Sequence, residues 1–127
     1  MKYFRVATAN TPEVSFDLRS GFISISGVST TINSVDFYRN FIDELVSFRE
    51  EKKEIIFNLS LKNFNTGTAK YIYDILLELK RRIGEGNRVL INWFYDKKQN
   101  EMLEMGIDYS NLVEMDFTFH EIGRIDI

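Results

Sequence analysis

"EIIFNLSLKNFNTGTAKYIYDILLELKRR", residues 54–82, changes its hydrophobic period in the middle. Up to Phe64 it alternates. Ile55, Phe57, Leu59 and Leu61 share one side, while Ile56 stands opposite among Asn58, Ser60 and Lys62. A period of two belongs to a strand with one buried face. From Ala69 onward the apolar residues Ile72, Ile75, Leu76, Leu79 and Ile83 recur every three or four positions, the stripe of an amphipathic helix. "GEGN" at 84–87 then supplies the glycines that commonly end one. A strand running directly into a long helix is half of a β-α-β unit, which predicts parallel strands.

Toward the N-terminus, "EVSFDLRSGFISISG" places Val14 and Phe16 in alternation and, after a turn at Asp17 to Gly21, Phe22, Ile23 and Ile25 in a second run. This predicts a hairpin. Pro12 delimits its first strand. In "INSVDFYRNFIDELVSFREEKK", Tyr38, Phe41, Ile42, Leu45 and Val46 have helical spacing behind an N-cap at Asn33 or Ser34. "REEKKE" reads as a solvated loop of mixed charge. Toward the C-terminus, "RVLINWF" suits a central strand, "KKQNEMLEMG" a short third helix and "MDFTFHEI" a last strand.

The predicted order is β, β, α, β, α, β, α, β. It gives an α/β fold: a single mixed β-sheet with an N-terminal antiparallel hairpin and helices packed on it. No repeat or proline-rich linker divides residues 1–127, so one domain is expected. With 44 % hydrophobic residues and 11 Phe among 127 positions, the chain can build a largely aromatic core.

Charge narrows the function. Sixteen Lys and Arg stand against 19 Asp and Glu, a net charge of -3, and no segment has the dense basic character needed to bind nucleic acid. The absence of Cys excludes disulfides, thiolate zinc sites and cysteine nucleophiles. "MKYFRVATANTPE" lacks the apolar core of a signal peptide and no run is long enough to span a membrane, so a cytoplasmic protein without membrane contact is expected.

Catalytic chemistry finds little material. His120 is the single histidine and falls within the last predicted strand, where a surface position is its simplest reading. Asp96, Glu101, Glu104 and Asp108 cluster around the third helix, with the spacing of an ordinary polar face. A small ligand-binding or enzymatic domain using this acidic region is the alternative function. Neither GxGxxG nor GxxxxGK[ST] occurs, so no nucleotide site or other cofactor is expected.

What remains is the junction between strand and helix. On the residues alone Thr66 has two readings. It is an N-cap, its hydroxyl accepting a free helix N–H, or it is a hydroxyl placed where a phosphate would most change the surface. Thr68 offers a second hydroxyl.

The segments "TPEVSFD", "LKNFNTGTAKYIYDILLEL" and "INWFYD", with Phe64, Asn65, Thr66 and Lys70 in the pattern FNTxxxK, resemble the SiaC-type regulatory phosphoproteins, a bacterial family similar in fold to STAS-domain anti-anti-sigma factors. The resemblance runs from about Thr11 to Ile122. It implies a non-enzymatic partner switch, in which the threonine after the Asn, here Thr66, is phosphorylated by a serine/threonine protein kinase and restored by a PP2C-type phosphatase. It further implies that the unphosphorylated form binds an effector, in the best-known branch a diguanylate cyclase, through Phe64, Asn65, Gly67, Thr68 and Lys70. The family commonly carries two serines where this chain has Gly67 and Thr68, and a more acidic run where it has Lys97, Lys98 and Gln99.

Overall fold

The computed structural model describes residues 2–17, 19–47 and 54–123. The elements are β1 (Lys2–Arg5), β2 (Glu13–Asp17), β3 (Phe22–Ser29), α1 (Ser34–Ser47), β4 (Glu54–Phe64), α2 (Thr66–Gly84), β5 (Arg88–Asp96), α3 (Asn100–Val113) and β6 (Phe117–Ile122). The strands form one sheet in chain order, antiparallel from β1 to β3 and parallel from β3 to β6.

The mixed sheet and its β2–β3 hairpin are as the alternation predicts, with one addition. β1 pairs with β2, so the hairpin lies one strand in from the edge, and Pro12 delimits the strand that begins at Glu13, which is the second of the sheet. Four residues carry too short an alternation to be read as a strand; the pairing of Tyr3 with Phe16 makes them one. The charged run at 49–54 lies, up to residue 53, outside the described residues.

Each parallel strand adds to the same side of the one before. Right-handed crossovers then deliver α1, α2 and α3 to a single face of the sheet. The buried side of that sheet is built from registered rows: Tyr3, Phe16, Ile23, Phe57, Ile91 and Phe117 follow one another across all six strands, and Val14, Ile25, Leu59, Trp93 and Phe119 form the next row. The opposite face carries the polar row Ser15, Ser24, Asn58, Asn92 and Thr118. Tyr38, Phe41 and Leu45 of α1 and Ile72, Ile75, Leu76 and Leu79 of α2 are completely buried against the apolar rows.

α2 is the central helix and holds both neighbours by their C-terminal ends. Neither α1 nor α3 has a basic residue in its last turn, yet their terminal carbonyls carry partial negative charge. Arg82 of α2 donates to the Leu45 carbonyl of α1, and Lys80 Nζ donates to the Val113 carbonyl of α3 at 2.6 Å. Arg82 is buried, and Glu78 accepts from its Nε at 2.9 Å. Burial pushes the Glu78 carboxyl up, but hydrogen bonds from Arg81 and Arg82 outweigh this and hold it below the usual carboxylate range. The ion pair therefore stays charged.

The third helix continues to Val113, past the expected end near Gly106. Met102, Tyr109 and Val113 extend the buried stripe, and Gly106 sits within it because Trp93 lies directly beneath. A Cβ at Gly106 would come within 2.7 Å of the Trp93 ring and 2.8 Å of Phe119. The glycine is a packing requirement, not a helix end. Among the described residues no helix is long and apolar enough to cross a membrane.

Gly106→Ala tests this. Alanine favours a helix by about 1 kcal/mol over glycine. Overpacking against two rings costs about 1 to 3 kcal/mol. The variant should unfold at lower urea concentration than the wild type, whereas Gly84→Ala, whose Cβ meets nothing within 4 Å, should not.

Candidate functional site

The β4–α2 junction is shaped by a break in register. Gly27 pairs with Leu61, but Val28 pairs with Asn63, so Lys62 is an extra residue and the strand reverses its faces. Before the bulge the odd-numbered residues of β4 are buried. After it Phe64 turns inward and packs against the core.

Asn65 follows as the N-cap of α2, in extended backbone conformation. Its Oδ1 accepts from the Thr68 N–H at 3.0 Å, and its Nδ2 donates to the Thr31 carbonyl at 3.0 Å. The capping role open to Thr66 therefore belongs to Asn65. Asn is as good a cap as Thr and here also bridges to the β3–α1 connection.

Thr66 becomes the first helical residue. It is exposed, and among the described residues no side-chain hydrogen bond engages its hydroxyl. Thr68 is the opposite. It is fully buried, its hydroxyl donates to the Ser29 carbonyl at 2.9 Å, and it lies 2.7 Å from Ser29 Oγ. Ser29 Oγ lies in turn 2.7 Å from the Tyr38 hydroxyl. Each hydroxyl has one proton, so the chain has one direction: Tyr38 donates to Ser29, Ser29 to Thr68, and Thr68 to the Ser29 carbonyl.

This corrects the expectation that Thr68 offers a partner contact, since no part of it reaches the surface. Gly67 is exposed but lies close under α1, where an added Cβ would meet Ser34 Oγ at 2.6 Å. Lys70, one turn after Thr66, is 69 % exposed in its side chain, 3.6 Å from Asp74 and over the Tyr71 ring at 4.8 Å. It borders a groove of about 260 Å³ between α1 and α2, with Arg39 and Asp43 across from Tyr71 and Asp74. Thus Thr66 and Lys70 face solvent, Asn65 and Phe64 are half-buried, and Thr68 is interior.

Sequence reasoning missed Ser29 and Tyr38. The signal was present in both: Ser29 interrupts the buried side of β3 with a hydroxyl, and Tyr38 puts a phenol into the apolar stripe of α1. Neither pattern names the partner 39 residues away.

His120 and the α3 carboxylates Glu101, Glu104 and Asp108 are on opposite sides of the sheet. On the polar face Asn92 Nδ2 donates to Asn58 Oδ1 at 2.8 Å, which leaves Asn92 Oδ1 to accept from His120 Nε2 at 2.9 Å. Phe94 stacks on the imidazole at 4.6 Å. Glu101, Glu104 and Asp108 are exposed on α3, which packs on the other face, and Asp96 accepts from the Lys98 N–H in a turn. Among the described residues no three His, Cys, Asp or Glu side chains could together hold a metal ion.

A family model described as SiaC family regulatory phosphoprotein matches residues 5–122. The chain belongs to the SiaC family. An uncharacterized protein of Pseudomonas aeruginosa (strain UCBPP-PA14) is 27 % identical over 103 residues, covering 80 % of this chain and 82 % of that one. Apo-SiaC from Pseudomonas aeruginosa superposes with a TM-score of 0.82 at 23 % identity, over 95 % of this chain and 98 % of its own. The diguanylate cyclase SiaD in complex with its activator SiaC, from the same organism, provides a match of TM-score 0.85 at 23 % identity, over 94 % of this chain and 99 % of the matched one. At these identities the structural likeness establishes the fold, and the family model establishes membership.

The buried hydroxyl chain has a consequence at high pH. Burial pushes the Tyr38 phenol from 10.0 up to about 12, partly offset by its hydrogen bond to Ser29 and the nearby Thr68 hydroxyl; burial also pushes Tyr109 up to about 12. Between those values the unfolded chain has lost the proton that the folded chain retains. The contribution is complete below pH 10 and is lost as pH climbs to about 12. For Tyr38 it amounts to roughly 2 to 3 kcal/mol. Urea unfolding at pH 9 and pH 11.5 should show this loss, and Tyr38→Phe should flatten the pH slope while lowering stability at pH 7 by about 1 kcal/mol.

Proposed function

We propose that the chain is a phosphorylation-controlled protein-binding switch, modified on Thr66 by a serine/threonine kinase and restored by a PP2C-type phosphatase. Its unphosphorylated form binds an effector, and a diguanylate cyclase is the class suggested by the relative crystallised with one. One observation carries the choice of residue. Of the two hydroxyls beside Gly67, Thr66 is exposed and without a hydrogen bond among the described residues, while Thr68 is buried and committed at both ends.

Position explains how modification could act without unfolding the protein. Thr66 opens α2, and the first turn of α2 contains no acidic side chain. A phosphate there adds about 1.5 to 2 negative charges at the positive end of the helix dipole, a favourable place. A partner packed over that turn would have to desolvate the same charge. The free protein tolerates the group and the interface does not.

Mass spectrometry after kinase treatment should find phosphate on Thr66 and none on Thr68. Thr66→Asp should melt within about 5 °C of the wild type. Its affinity for the effector, measured by calorimetry, should fall about thirtyfold or more, reflecting a charge buried without a partner. Thr66→Ala should remain bound with the kinase active. Thr68→Ala is expected to lose stability by about 1 to 2 kcal/mol, because it breaks the chain to Ser29. Phosphate on Thr68, or undiminished effector binding by Thr66→Asp, contradicts the assignment.

A further inference from the structure

The acidic region around α3 is left without a role by the switch at Thr66. From Gln99 to Gly123 there is no Lys or Arg and there are six carboxylates, Glu101, Glu104, Asp108, Glu114, Asp116 and Glu121. The remainder of the chain holds 16 basic residues against 13 acidic ones, 19 less these six. The protein's negative charge is concentrated here. Among the described residues none of Glu101, Glu104 and Asp108 forms an ion pair.

Beside these charges lies an apolar groove of about 140 Å³, lined by Met105, Asp108, Tyr109 and Leu112. Leu112, at the groove's rim, is 63 % exposed. Spacing organises the two features. Met105, Tyr109 and Leu112 follow each other by four and three residues, as do Glu101, Glu104 and Asp108 by three and four, so an apolar row runs next to an acidic row. The floor is fixed, because the Tyr109 hydroxyl donates to the Ala69 carbonyl at 2.8 Å and its ring contacts Trp93 at 5.8 Å.

We propose that this groove docks a basic amphipathic helix of a modifying enzyme that acts on Thr66. The inference rests on the switch reading for the identity of that enzyme. The helix would set apolar side chains against Met105, Tyr109 and Leu112 and its Lys or Arg side chains against Glu104 and Asp108, the geometry of a helix lying in a groove. Charge decides between an enzyme and the effector. Tyr109, which lines the groove, reaches with its hydroxyl to Ala69 in the first turn of α2, the turn that Thr66 opens. A phosphate on Thr66 would attract a basic element, not expel it. A contact that phosphorylation must break is poorly served here, whereas a kinase or phosphatase has to engage the chain on both sides of the reaction.

The test uses two synthetic helical peptides, with Leu at i, i+3, i+4 and i+7 and flanks of Lys and Arg in one and Glu in the other, titrated into the full chain. Amide chemical shifts and fluorescence anisotropy report the site and the affinity. The basic peptide should perturb Met105, Asp108, Tyr109 and Leu112, and its binding should weaken with salt. Leu112→Ser and Asp108→Lys, both at exposed positions, should each weaken it by about tenfold or more while retaining the native amide spectrum. Thr66→Asp should leave its affinity unchanged or increase it. Equal binding of the two peptides, absence of binding by both, or shifts confined to other elements overturns the proposal. Loss of the basic peptide from Thr66→Asp would return the groove to the effector surface, and a dimer abolished by Leu112→Ser would assign it to a second copy. Phosphate mapping on Thr66 does not depend on these titrations, so failure here is distinguishable from failure of the switch.

Discussion

The backbone carbonyl of Ser29 is where the candidate site is fixed to the fold. It accepts from the Asn65 N–H at 3.2 Å and from the Thr68 hydroxyl at 2.9 Å, and thereby ties the start of α2 to the end of β3. Successive helical residues are separated by about 100°. With Thr68 held inward, a residue two positions earlier on the helix must face outward. The exposure of Thr66 thus follows from the burial of its neighbour, and the bulge at Lys62 brings β4 to the junction with Phe64 facing the core.

The far end of α2 is held by charge in place of hydroxyls. Glu78 and Arg82 form a buried pair, and such a pair repays its desolvation only when its remaining hydrogen bonds are made. Arg82 makes one of them to Leu45 of α1, and Arg81 supplies another to Glu78 at 2.6 Å. With Lys80 on Val113 of α3, the central helix neutralises both flanking C-termini. A rigid α2 keeps its first turn in place, and a modification there changes the surface more than the packing.

The strand order also divides the molecule by chemistry. Helices gathered on one face leave a polar ladder of Ser, Asn and Thr on the other, where His120 ends the hydrogen-bonded series through Asn92 to Asn58. His120 and the α3 carboxylates are far apart in role because the sheet lies between them. Thr66, the residue proposed for the switch, by contrast sits where β4 ends and α2 begins, at the edge of the sheet where connections gather.

Alternation and helical spacing by themselves determined the strands β2 to β6, the three helices and the sheet class, because a buried face imposes its period directly on the residues that form it. They also singled out Thr66 and Thr68 as the hydroxyls of the junction, and the motif around them pointed to the family. Three features were decided only by tertiary structure. β1 exists because Tyr3 finds Phe16 across a strand pair, and α3 passes Gly106 because Trp93 needs the space that a side chain would fill. The difference between Thr66 and Thr68 arises from Ser29, a residue 39 positions before Thr68, whose hydroxyl and carbonyl receive one threonine and leave the other to solvent. A sequence period records which face is buried; it carries no record of which polar atom, arriving from a distant strand, waits beneath it.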